Sequence, residues 1–363
     1  MQLDAARFSG QVAHRAVGLY VIQSQGLQVA ICNHGARIVQ LITPDRQGEP
    51  QDVVLGFDSL PQMLIGLPSM GAFIGRFANR IAGARFWVGD REHRLPANDG
   101  AHCLHGGPAG SRVQVFEVLA HTTSQLSLGW TFQEADDGFP GDVRLELQYR
   151  VEGGTLFIDH TARVSRAATP LNFTSHAFFN LEGQGGQDVL DHDLQLSADR
   201  CVPVDSGRIP TGQMLQVEGT AFDFGRPRRL REALAQGHAQ LCLAGPSGFD
   251  HCMVDGLSIW RCQARVHAAR TGIAMEVWSD APGLQLYSAA PMDGSLPRHA
   301  GKGGRAYGPS AGLCLEPQGL PDAPNQPHFP RAVFEPGEVV HGRMAYRFSA
   351  APSTAGPEHL PAL

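Results

Sequence analysis

Two histidines and a glutamate, each set among small or aromatic neighbours, are the residues of this chain best suited to chemistry. His105 lies in Leu104-His105-Gly106-Gly107. His176 stands in Asn172-Phe173-Thr174-Ser175-His176-Ala177-Phe178-Phe179-Asn180, and Glu316 follows Leu313, Cys314 and Leu315. Imidazoles and a carboxylate are the minimum set for moving protons on a neutral polar substrate near pH 7. An imidazole titrates near neutrality. Burial would raise a glutamate above its usual value of ~4.3 and make it a better base. Each residue has an ordinary alternative: a hydrogen-bonded core histidine, a turn with an incidental histidine, a strand-end glutamate facing solvent.

Other residue types suit recognition of hydroxyl groups. Arg76 and Arg80 fall in Gly75-Arg76-Phe77-Ala78-Asn79-Arg80-Ile81-Ala82-Gly83. A guanidinium fork beside the Asn79 amide can engage several hydroxyls at once. Asp250 in Gly248-Phe249-Asp250-His251 can accept, and Gln285 in Gly283-Leu284-Gln285-Leu286 can accept and donate. The glycines after His105 point to a close backbone approach or a positive φ there. His102, Cys103 and His105 are all zinc-ligand types, but the spacing is too tight for a finger and no matching pair recurs. No metal is expected. The glycine clusters at 183–186 and 301–304 do not fit a Walker A loop, and no G-x-S-x-G elbow is present.

The elements that must position these residues read as β-strands. Val143, Leu145, Leu147, Tyr149 and Val151 alternate with Arg144, Glu146, Gln148 and Arg150. Leu126, Leu128, Trp130 and Phe132 alternate likewise, as do Trp260, Cys262, Ala264 and Val266. Period-2 alternation predicts antiparallel strands with one buried face. Similar runs at 17–23, 27–32, 36–43, 113–120, 156–162 and 339–349 extend the pattern, with turn clusters such as 136–142 and 281–283 between them. Helix is expected only at 228–236 and as a turn at 60–65. The economical architecture is all-β, one many-stranded sandwich domain over residues 1–350, with a frayed tail at 351–363.

Composition narrows the function classes. The 363 residues are 42% hydrophobic and 18% charged, with a formal net charge of -6. That balance gives no basic footprint for nucleic acid. No run approaches the roughly eighteen apolar residues of a membrane span. The seven cysteines are irregularly spaced and suit free thiols in a reducing cytosol, so a cytoplasmic protein without a signal peptide is expected.

In order along the chain, these segments resemble the aldose 1-epimerases, the galactose mutarotase family. The resemblance runs from about residue 18 to 349. It passes through the Gly75–Gly83, Leu104–Gly107 and Asn172–Leu181 segments, Gly-Phe-Pro-Gly-Asp-Val (138–143), Ala-Asp-Arg-Cys-Val-Pro-Val-Asp (198–205), Phe-Asp-His (249–251), Pro-Gly-Leu-Gln-Leu-Tyr (282–287) and Pro-Asp-Ala-Pro-Asn-Gln-Pro-His-Phe-Pro (321–330). It implies a large antiparallel β-supersandwich, galactose mutarotase-like, with a sugar in an open cleft. It implies Glu316 as general base, His176 as general acid and His105 as a second histidine near the ring oxygen. Asn79, Arg80, Asp250 and Gln285 match positions that hold sugar hydroxyls. No cofactor is implied. Phe178 and Phe179 would wall the ring.

The chain departs from the family pattern at Pro317, after the glutamate, and at Ser288-Ala289-Ala290; these put the preferred sugar in question. The expected partner is a monosaccharide such as galactose or glucose, with no nucleic acid or membrane, for a monomer or a homodimer formed through exposed β edges. Rival readings are a mutarotase for pentoses or phosphorylated sugars, for which Arg226, Arg228, Arg229 and Arg231 form a basic cluster, and a non-catalytic sugar-binding protein.

Overall fold

A computed structural model describes residues 3–244 and 247–350. The tail expected to fray lies outside the described residues. Antiparallel strands form three main sheets. An N-terminal sheet runs Leu19–Ser24, Leu27–Cys32, Arg37–Pro44, Pro50–Asp52. A long nine-stranded sheet is ordered Glu117–His121, Gln125–Phe132, Asp142–Glu152, Thr155–Ser165, Val339–Ala350, Ile273–Ser279, Arg261–His267, Asp193–Leu196, Arg228–Arg229. A five-stranded sheet is ordered Leu215–Gln216, Arg200–Val202, Asp250–Val254, Gly283–Tyr287, Cys314–Gln318.

Alternation explains how the sheets face each other. Along Asp142–Glu152, Val143, Leu145, Leu147, Tyr149 and Val151 are buried while Glu146 is exposed. These side chains share one buried cluster with Val29 and Ile31 of the N-terminal sheet and with Leu284, Leu286 and Leu315 of the five-stranded sheet. Each fully buried side chain of this size contributes about 1.5–3 kcal/mol. The Tyr149 hydroxyl donates to the Ala36 carbonyl at 2.5 Å, so its polar end is satisfied inside the core.

Several elements differ from the sequence expectation, each for a visible reason. The alternation through Trp260 breaks at a bulge between Cys262 and Ala264. There Gln263 turns inward, and its amide donates to the Ala281 carbonyl at 3.0 Å. The run at 113–120 is a strand only from Glu117, because Ser111–Val113 forms a 3₁₀ turn. The helix expected at 228–236 begins at Leu230; Arg228 and Arg229 pair instead with Leu194 and Asp193. The helix Leu60–Ile65 forms with Ser59 as its cap, accepting from the Gln62 N–H. Part of the expected turn at 136–142 is a short helix, Glu134–Asp137, stopped by Gly138 at φ 78.

Candidate active site

The five-stranded sheet places the carboxylate. Cys314–Gln318 is its edge strand, and its register sets Glu316 opposite Gln285. The next strand pairs Cys252 with Gln285 and Asp250 with Tyr287. Gln285 Nε2 donates to Asp250 Oδ1 at 2.7 Å. Glu316 is therefore mid-strand and only 2% exposed, not a solvent-facing strand end. Pro317 costs no ladder bond, because the strand is an edge. Its side chain does not line the cleft, and neither do those of Ser288, Ala289 and Ala290; that segment's lining begins at Pro291.

His176 is fixed from the other side. It follows Thr174–Ser175, which pairs with Phe73–Ile74. Its N–H donates to Ala72 O at 2.8 Å, and its carbonyl accepts from Gly71 N at 2.9 Å. The ring stacks on Phe178, with centroids 5.1 Å apart, and meets His105 edge-on at 5.3 Å. Its Nε2 lies 3.8 Å from Glu316 Oε1, and its Nδ1 lies 3.6 Å from the Cys314 thiol. Phe178 lines the cleft beside it. Phe179 does not: it faces the core against Tyr346 and Phe348, since neighbouring residues of an extended chain point to opposite sides.

His105 is clamped to Asn79. Its N–H donates to Asn79 O at 3.0 Å, and its Nδ1 accepts from Asn79 N at 3.1 Å. Nδ1 is thus the acceptor, and Nε2 carries the proton of the neutral ring. The expected close approach is present: Gly106 has φ 76, and a Cβ there would lie 2.4 Å from the Gly75 carbonyl oxygen. Arg80 pairs with Asp99 through Nε at 2.7 Å and, like Asn79, reaches the cleft.

Glu316, His176, His105, Asn79, Arg80, Asp250 and Gln285 all line one cleft of about 580 Å³. Burial pushes Glu316 well above the usual carboxylate range, and the charge of Asp250 adds to this. Burial lowers His176 to about 4. His105 is pushed well down, first by burial and then by His176, Arg112 and Arg80. Both imidazoles are therefore neutral in the free cleft near pH 7, and burial biases Glu316 toward its protonated form.

Arg76 is the residue the structure removes from the cleft. It is fully buried, gripping Asp137 through Nε at 2.9 Å and Nη2 at 3.0 Å. Its Nη1 serves Pro140 O, Gly141 O and Thr169 Oγ1 at 2.9–3.2 Å. It is a structural ion pair, not a hydroxyl ligand. The basic cluster at 226–231 is also remote from the chemistry. Arg231 pairs with Asp188 and Asp191, Arg228 bonds Gln236, and no residue of the cluster lines the cleft.

The sequence reading missed Arg112, Arg208, Tyr287 and His299, which also line the cleft. Tyr287 had a signal, standing two residues after Gln285 on the same strand face. The others come from turns without one.

The zinc-type residues that come together among the described residues are His176, Cys314 and Glu316, within 4.8 Å of one another, not the His102-Cys103-His105 set. They do not form a cage: the thiol meets Nδ1 while the carboxylate meets Nε2. Burial also holds Cys314 as a thiol, whereas a metal needs a thiolate.

A buried acid/base pair in a polar cleft, carried by antiparallel β-sheets, defines a site built to move protons. Comparison with known proteins names it. The sequence model of the family described as aldose 1-epimerase matches residues 18–347. Galactose mutarotase of Bos taurus is 40% identical over 338 residues, covering 92% of this chain and 94% of that protein. Aldose 1-epimerase of Escherichia coli K12 is 31% identical over 333 residues, covering 90% and 93%. The crystal structure of a GalM/aldose epimerase homologue from C. elegans superposes with TM-score 0.85 at 31% identity, covering 92% of this chain and 99% of that one. The chain belongs to the aldose 1-epimerase family.

Proposed function

We propose that the protein is an aldose 1-epimerase, an isomerase that interconverts the α and β anomers of a free aldose such as galactose or glucose. The observation that carries the reading is the Glu316–His176 pair, 3.8 Å apart and buried on the floor of the cleft. The names of the relatives support it.

Mutarotation must take the proton from the anomeric O1 and give one to the ring oxygen. The ring then opens to the aldehyde, the C1–C2 bond rotates and the ring closes on the other face. Glu316 and His176 together hold one transferable proton. Burial favours its resting on Glu316, the arrangement that leaves both groups uncharged. Passing it to His176 gives carboxylate and imidazolium with no change in total charge. In that form Glu316 takes the O1 proton while His176 protonates the ring oxygen, and the roles reverse on closure. Each transfer typically contributes about 10²–10⁴-fold. His105, with its proton on Nε2, donates near the ring oxygen. Asn79, Arg80, Asp250 and Gln285 hold hydroxyls, and Phe178 walls the ring.

With no residue of the 226–231 cluster lining the cleft, a phosphorylated sugar loses the feature that favoured it. The seven free thiols suit a reducing compartment, and we place the protein in cytoplasmic hexose metabolism. Residues 1–350 act as one domain in this reading, supported by a buried cluster that spans Ile22 to Phe348. Polarimetry on freshly dissolved α-D-galactose and α-D-glucose tests the activity. Faster equilibration is expected, and no acceleration with either hexose would refute it.

A further inference from the structure

We infer that His299, oriented by Asp293, is a further sugar-binding residue of the cleft; the inference rests on the epimerase reading and extends it. The segment from Pro291 to His299 contributes Pro291, Met292, Asp293, Ser295, Arg298 and His299 to the cleft lining. It is well anchored. Met292 is buried in a cluster with Met70, Phe178 and Tyr307. His299 N donates to Ser295 O at 2.8 Å, and Tyr307 N donates to His299 O at 2.8 Å. Just beyond, the Lys302 ammonium is buried, bonding Asp52 at 2.6 Å and the Val54 and Val39 carbonyls at 2.8 and 2.9 Å.

The side chain of His299 is itself only 7% exposed. Its Nδ1 has three polar neighbours: Asp293 Oδ1 at 2.8 Å, Ser295 Oγ at 3.3 Å and Asp293 N at 3.4 Å. The shortest contact is to a carboxylate, and a charge-assisted bond outweighs the two long neutral ones. Nδ1 therefore carries the proton and donates to Asp293. In the neutral ring Nε2 keeps its lone pair. It has no protein partner among the described residues, and it is not among the polar atoms sealed in the interior. His299 is one of the residues lining the cleft, the open space beside an Nε2 that is not sealed in the interior.

An immobilised acceptor of this kind accepts a hydrogen bond from a hydroxyl group, and the sugar brings several. The hydroxyl is not the anomeric one, which Glu316 and His176 serve. It is a ring or exocyclic hydroxyl, so His299 discriminates between sugars and does not accelerate the proton transfers. Asp293 is the positioning residue.

The test measures KM and kcat for His299→Ala, His299→Gln and Asp293→Ala with three sugars. These are D-galactose, its C4 epimer D-glucose, and L-arabinose, which lacks the hydroxymethyl group of galactose. Calorimetric titration of the same sugars gives a binding readout that needs no turnover. His299→Ala should raise KM and Kd for galactose about 3–10-fold, the worth of one hydrogen bond, with kcat changed less than about twofold. A penalty that shrinks for D-glucose identifies the C4 hydroxyl, one that shrinks for L-arabinose the hydroxymethyl group, and an equal penalty for all three the C2 or C3 hydroxyl that they share. His299→Gln, which keeps an acceptor, should recover part of the affinity, and Asp293→Ala should weaken all affected sugars in parallel. Unchanged KM and Kd for all three sugars in His299→Ala, with the fold intact, would overturn the assignment. So would a loss confined to kcat. Failure of the wild type to accelerate mutarotation refutes the epimerase reading alone, because calorimetry still reports on His299.

Discussion

Replacing Arg76 by methionine separates structure from recognition at a residue whose type alone suggests either. Arg76 and Asp137 have side chains 0% and 2% exposed. Removing one partner of such a pair leaves a buried, uncompensated charge and costs about 3–5 kcal/mol. The Pro140 and Gly141 carbonyls and Thr169 Oγ1 lose a donor as well. For 363 residues at about 2.1 cal/mol/K each, the unfolding entropy is roughly 0.75 kcal/mol/K, so Tm should fall about 4–7 °C. Burial already raises Asp137 to about 6 against the pull of Arg76. Without that pull its folded value rises further above its unfolded value of 3.8. A carboxyl raised in the fold is neutral in both states at low pH. Its penalty grows as pH rises through the unfolded and then the folded value. The deficit of Arg76→Met should therefore be smaller at pH 5 than at pH 8. Thermal melts by circular dichroism at the two pH values, with KM for galactose beside them, decide the matter. A Tm within about 1 °C of wild type, or an intact fold with a strongly raised KM, would refute the reasoning and return Arg76 to the cleft.

Two further outcomes follow from the site. Because His176 takes a second proton only near pH 4 and Glu316 loses the shared one well above the usual carboxylate range, kcat/KM should fall on the acid side near pH 4 and again on the alkaline side. Its pH profile, measured by polarimetry with the uncatalysed rate subtracted, checks this; a profile that rises through a usual carboxylate value near pH 4.5 and then stays flat would contradict the shared proton. Gly106→Ala must put a Cβ 2.4 Å from the Gly75 carbonyl at φ 76, about 1–2 kcal/mol of backbone strain before the clash is counted. It should displace His105 and lower kcat/KM more than tenfold, whereas Gly100→Ala, at φ 59 with open space around it, should cost only the strain; equal kinetics in the two variants would count against the clamp.

Much of this was legible from residues alone, and the rest was not for identifiable reasons. Alternation fixes strands wherever one face is buried, so 143–151 reads correctly. It fails at the Gln263 bulge, because a one-residue insertion swaps faces without changing composition. The ordered motifs pointed to Glu316, His176 and His105 as one site, yet nothing local to Glu316 distinguishes a buried mid-strand carboxylate from a solvated one. Its burial is set by Gln285 and Asp250, which approach only through strand pairing. Arg76 and Arg80 share a segment and a residue type, and only the packing sends one to Asp137 and the other to the cleft. His299 sits in a turn-rich stretch whose path is set by Met292 and Lys302, anchors that the sequence does not mark.

The most direct test of the central claim is polarimetry of α-D-galactose with Glu316→Gln beside the wild type. Glutamine keeps the size of Glu316 but can neither take nor release the shared proton. The account predicts a loss of kcat of at least about 10²-fold with the fold and galactose binding retained. A Glu316→Gln variant that equilibrates the anomers as fast as the wild type would contradict it.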